Sequence, residues 1–246
     1  MKRTVAVTTF SLTLMLACLS VAAQTQSRDD VLKEIQAKRA ELSALENKFL
    51  EPSDADRQAY ASFLSEPNTG MIRLLPREKY DVVYNRATKA LNINGGGAFY
   101  CFARSTHEYG QGSDIYLENG QLGAGGAGFD HGFMLNLGDV PLQQLTVEHQ
   151  AVRALLEFQP ALKEIEIRKE QTALHSGVEI GGYTFKSRWP AKASNTYLLR
   201  SLNYEGYDIA VAFRLVREDA DGSFIVLFNV LKRFPVPKAE RIPRDY

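Results

Sequence analysis

Read for its alternation of apolar and polar residues, the chain falls into three stretches of different character. From Ser27 to Leu50 it runs SRDDVLKEIQAKRAELSALENKFL, with no glycine or proline, acidic residues early, and apolar residues at Val31, Ile35, Leu42, Leu45 and Phe49. That spacing predicts a helix. The same positions form an a/d seam broken only by Lys38. Two readings fit: a helix laid on its own domain, and a short coiled coil through which residues 27–50 self-associate. Pro52, with Ser53 and Asp54 as caps, opens a second short helix that carries Tyr60, Phe63 and Leu64 on one side and ends at Pro67, Asn68 and Gly70. Residues 27–66 are therefore expected to form a helical hairpin, within a helical segment placed at 24–66.

From Asn94 to Gly138 the chain holds 12 of its 18 glycines among short apolar runs. This predicts strands with tight turns. Ala98–Thr106 (AFYCFARST) reads as one strand, Asp114–Glu118 and Gln121-Leu122 pair across Asn119-Gly120, and Phe133–Leu137 is a further strand. A helical excursion comes next, over 143–174: Leu145–Phe158 has helical spacing and is stopped by Pro160, while Lys163–Arg168 (KEIEIR) fits either type.

The last third is strand-like at Tyr183–Ser187, Thr196–Tyr204, Tyr207–Arg217 and Ser223–Phe234. Asp219, Asp221 and Gly222 close the last two into a long hairpin. Its arms hold more apolar residues than one buried face needs, so the hairpin is expected at the centre of a sheet, covered on one side by helices or by a second sheet. Residues 235–246, with three prolines, read as an extended tail. The expected fold is α+β: an N-terminal helical hairpin, then a mainly antiparallel β domain over 67–234.

The extreme N-terminus changes the picture. Lys2 and Arg3 precede an uncharged, largely apolar run from Thr4 to Ala23, with charge resuming at Arg28. This is the layout of a signal peptide, residues 1–23, cleaved after Ala23, for a secreted or periplasmic protein with no transmembrane anchor left in the mature chain. The rival reading is a lipid-anchored envelope protein modified at Cys18. Removing 23 of 246 residues leaves 223, and losing Lys2 and Arg3 takes the formal charge from zero to about −2. No electrostatic footprint for nucleic acid results. Cys101 becomes the only thiol, which rules out an internal disulfide.

Candidate chemistry is sparse. The run GAGGAG at 123–128 matches a dinucleotide-binding fingerprint, but the residues after it alternate like a strand instead of opening a helix, so glycine-permitted turns are expected and no cofactor. Cys101, His107, Asp130 and His131 would supply a thiol, bases and an orienting carboxylate for a secreted hydrolase or metal-dependent enzyme. On a continuous strand, however, His107 would lie roughly 20 Å from Cys101. No pair of potential ligands has the spacing of a known metal site, so no metal is expected. Trp189, Tyr197, Tyr204 and Tyr207, near Arg188 and Arg200, form an aromatic cluster suited to a partner or ligand surface. The sequence as a whole favours a non-enzymatic exported protein that binds or assembles.

Overall fold

The computed structural model describes residues 27–84, 91, 95–107, 109, 112–126, 128 and 130–241. The expected signal peptide, its expected cleavage point and Cys18 lie outside the described residues, as do residues 242–246 of the tail. The elements in chain order are α1 (Arg28–Leu50), α2 (Asp54–Ala59), α3 (Ala61–Leu64), β1 (Thr69–Leu74), α4 (Arg77–Tyr80), β2 (Phe99–Tyr100), β3 (Ile115–Glu118), β4 (Gln121–Ala124), β5 (His131–Gly138), a 3-10 turn (Leu142–Gln144), α5 (Gln150–Glu157), α6 (Glu164–Ser176), β6 (Val178–Ile180), β7 (Tyr183–Phe185), β8 (Arg188–Pro190), β9 (Thr196–Asn203), β10 (Tyr207–Glu218) and β11 (Phe224–Phe234). Helices and antiparallel sheets together make the fold α+β. The chain divides into two compact units after Glu41, and the sheets and their covering helices all belong to the larger one.

Local chemistry sets the element ends. Ser53 Oγ accepts the N–H of Asp56 and donates to its carboxylate, which starts α2. Asn119 and Gly120 both take positive φ, as the two-residue turn between β3 and β4 requires. The β10–β11 hairpin closes where Gly222 N–H donates to the Asp219 carbonyl and Asp219 N–H to that of Ser223.

The main sheet has the order β1-β11-β10-β9-β5, antiparallel throughout. It is buried on both faces, which accounts for the excess of apolar residues in its central hairpin. On one face, Phe133, Leu198, Leu202, Ala210, Ala212 and Leu227 pack beneath Val152 and Leu155 of α5 and Ile167 and Leu174 of α6. On the other, Met134, Leu199, Val211, Phe213 and Val226 meet Tyr100, Phe102, Ile115, Leu117 and Leu122 from the second sheet, β2-β3-β4-β8, and the turn after β2. The result is three layers: helices, five strands, four strands. The hairpin is covered on both sides, by helices on one and by the second sheet on the other, where a cover on one side was expected.

Two expectations change, and one open reading is resolved. Ala98–Thr106 is not one strand: the ladder stops at Tyr100, residues 102–105 turn, and Cys101 bridges back to Thr106. The cause is Asp114, whose carboxylate takes the backbone N–H groups of Phe102 and Ala103 and so removes them from any ladder. The helix read from Leu145 begins only at Gln150, where His149 Nδ1 accepts the N–H of Ala151 as its cap. The ambiguous KEIEIR segment is helical, the start of α6.

Candidate functional site

Between the two sheets lies a buried polar node. Asp114 is fully buried immediately before β3. One carboxylate oxygen accepts Phe102 N–H at 2.6 Å; the other meets Ser201 Oγ of β9 and lies 2.8 Å from Tyr207 Oη of β10. Tyr207 Oη also lies 2.6 Å from the carbonyl of Gly112 and 3.5 Å from Cys101 Sγ. Burial pushes the Cys101 thiol up from its ordinary pKa. Burial likewise raises Asp114 and Tyr207, against the donors that surround the carboxyl. A thiol in this state stays protonated and is a poor nucleophile.

On the helix-covered face of the main sheet stands a second set. His131 opens β5, pairs in register with Leu202, and its Nε2 lies 2.7 Å from Glu170 of α6. Arg200 and Asp208, on the adjoining strands β9 and β10, form a two-pronged ion pair at 2.5 and 2.8 Å, both residues nearly solvent-free. The Arg200 guanidinium also stacks on Phe234. Asp130 accepts the backbone N–H of Tyr204 at 3.1 Å, and burial raises its carboxyl pKa.

The four residues read as a catalytic cluster thus have separate surroundings. Asp130 and His131 adjoin a cleft of about 350 Å³ shared with Gln171, His175, Arg188 and Tyr116. Cys101 belongs to the inter-sheet node through Tyr207, on the opposite face from His131, since Tyr207 and Asp208 are consecutive in β10 and Asp208 shares its face with Leu202. The turn at 102–105 folds His107 back so that its ring lies 5.0 Å from that of Tyr100. Burial there pushes His107 down to about 4, and its Nδ1 is enclosed with no hydrogen-bond partner. Among the described residues no group of three His, Cys, Asp or Glu is placed to hold a metal ion. Among the described residues the GAGGAG stretch lies between β4 and β5, with no helix between the two strands. Gly125 is required there by close approach, because a Cβ would fall 1.7 Å from the Ser113 carbonyl.

The aromatic cluster is largely interior. Tyr197 is fully buried and donates to the Pro190 carbonyl, Tyr204 is buried with its hydroxyl on Ala161, and Arg200 is held by Asp208. Trp189 is half-buried and donates to the Met134 carbonyl, while Arg188 is exposed and donates to Tyr116 Oη at 2.9 Å. Spacing along the chain does not mark Asp114, Glu170 or Asp208 as members of a site. The available signal was a carboxylate directly beside an apolar strand run, as in Asp114-Ile115 and Asp208-Ile209.

One surface stands apart. Every apolar a/d residue of α1 is exposed: Val31 39%, Ile35 41%, Leu42 42%, Leu45 65% and Phe49 38%, with Leu32 beside them at 55%. Comparison with family models, with characterised proteins and with solved structures finds no match for this chain.

Proposed function

We propose that this is an exported, non-enzymatic protein that acts by assembly, with α1 as its self-association element. The observation that carries the reading is the exposed row Val31, Ile35, Leu42, Leu45 and Phe49. A helix stabilised by its own domain buries its apolar stripe, whereas a seam intended for another helix leaves it open in the single chain. Export rests on the layout of residues 1–23; among the described residues no helix is long and apolar enough to cross a membrane. The hydrolase alternative draws less support, because Cys101 and His131 serve different networks on opposite faces of one sheet. The lipid-anchor alternative is decided by mass spectrometry of the mature N-terminus: acylated Cys18 establishes it, and a start at Gln24 removes it.

The test of assembly is light scattering on the purified protein and on a Leu42→Lys, Leu45→Lys variant. Both side chains are exposed, so the variant keeps its fold. A dimer or larger species that becomes monomeric in the variant supports the reading. A monomeric parent protein at tens of micromolar overturns it.

A further inference from the structure

We infer that the cleft beside His131 binds a short peptide through its free C-terminal carboxylate. No residue of α1 lines this cleft, and binding there does not depend on assembly.

The cleft exists because the two sheets separate at this point. Lys186 exchanges both backbone hydrogen bonds with Met134 at the outer edge of β5. One residue later the chain has left that edge: Ser187 accepts from Ala124 N–H and donates to the Leu174 carbonyl, and Arg188 pairs with Gly123 of β4. The gap opened by this departure measures about 350 Å³, with the start of β5 on one side, β4 and β8 on another and α6 along the third. That is the low end of small-molecule sites.

Two features equip the gap for a carboxylate joined to a peptide group. Met134 directs both its backbone groups away from β9, so antiparallel alternation turns the N–H and C=O of Gly132 the same way. Gly132 is buried and lines the cleft, and no group among the described residues takes up either of them. A buried peptide unit left open is uncommon. It can hold one amide of an extended ligand, as an added strand does. On the β8 side, Arg188 Nε donates to Tyr116 Oη at 2.9 Å, and the guanidinium carbon lies 5.6 Å from the centre of that ring. This orients the guanidinium, while its two Nη groups meet no acceptor among the described residues. The Tyr116 hydroxyl, having accepted from Nε, keeps its own hydrogen for a ligand. A planar fork of donors beside a hydroxyl matches a carboxylate. Charge disfavours phosphate: Arg188 is the only arginine or lysine lining the cleft and Asp130 lines the same space, so a singly charged group is favoured over a doubly charged one.

Calorimetric titration of the purified protein tests this with four probes: acetyl-alanyl-alanine, its C-terminal amide, propionate and inorganic phosphate. The free peptide acid should bind about tenfold or more tightly than each of the others, since the amide lacks the charge and propionate lacks the peptide group. Arg188 is exposed, so Arg188→Gln keeps the fold and should lose about tenfold in affinity for the acid while leaving the amide unchanged. Arg188→Lys, which keeps the charge without the fork, should recover only part of that loss. Equal binding of acid and amide, equal binding of propionate, tighter binding of phosphate, or no heat from any probe up to about 10 mM overturns the inference. An affinity for the acid that Arg188→Gln leaves unmoved overturns it as well, since the peptide would then sit elsewhere.

Discussion

The phenolic oxygen of Tyr207 lies 2.8 Å from a carboxylate oxygen of Asp114 and, at the same time, 2.6 Å from the carbonyl of Gly112. A phenol has one hydrogen. The Gly112 carbonyl can only accept, so once Tyr207 donates to it, the contact with Asp114 is good only if Asp114 supplies the other hydrogen. The remaining donors pull the other way, toward the ionised form, and burial outweighs them. Ser201 donates to that same carboxyl oxygen, and the Phe102 and Ala103 N–H groups occupy the second one. A neutral carboxylic acid satisfies every group in the node, consistent with the upward shift that burial imposes on Asp114.

Asp114→Asn, an isostere of the neutral acid, should therefore keep stability within about 1 kcal/mol, whereas Asp114→Ala strands several buried donors and costs about 3 kcal/mol or more. The linkage has a definite sign. A carboxyl whose folded pKa lies above its unfolded value near 3.8 adds stability at low pH that is lost as pH rises toward the folded value. Urea unfolding of parent and Asn variant across pH 3 to 7 should show that decline only in the parent. A large loss in the Asn variant would mean that Asp114 is ionised.

Arg200 and Asp208 are both nearly solvent-free. Arg200→Met alone leaves a buried, unpaired carboxylate and should cost about 3–5 kcal/mol. Arg200→Met combined with Asp208→Leu removes both charges and should recover most of that loss. A double-mutant cycle by chemical unfolding measures it; equal, additive losses would show that the two residues are not coupled.

His107 titrates near 4 in the fold because burial excludes its charged form, against about 6.5 when unfolded. Above pH 6.5 the group is neutral in both states and has no effect. Between 6.5 and 4 the unfolded chain takes up a proton that the fold refuses, and stability falls by at most about 3 kcal/mol. His107→Phe should flatten the unfolding free energy over that window. An unchanged slope in the variant would assign it to other groups.

Gly125→Ala should destabilise the protein severely, because its Cβ would sit 1.7 Å from the Ser113 carbonyl. Gly128→Ala meets open space but keeps a positive φ, so its cost is about 1 kcal/mol. Thermal unfolding of the pair separates crowding from backbone strain; equal shifts would contradict the distinction.

Element types were legible wherever periodicity was long. The α1 stretch, the Asn119-Gly120 hairpin and the long C-terminal hairpin all sit where the apolar pattern and turn residues put them. Periodicity does not encode a side chain competing for backbone groups. Asp114 draws Phe102 and Ala103 out of the ladder from twelve and eleven residues away, and His149 postpones the helix expected from Leu145. The sites were harder for a related reason. Tyr197, Tyr204 and Arg200 look from spacing like a recognition surface, and their burial comes from a second sheet and a helical layer brought over them by distant segments. Burial is a property of the assembled layers, and a local window contains only one of them.

Tyr207 and Asp208 are neighbours in β10, yet one reaches the node between the sheets and the other pairs with Arg200 under the helices. Sliding β10 by one residue against β9 would swap them, driving the carboxylate toward the Asp114 carboxyl and the phenol toward Arg200. Apolar side chains alone would resist that slip weakly here, because both faces of the strand are greasy. The adjacent polar pair acts as a two-sided key that admits one alignment of the central strands.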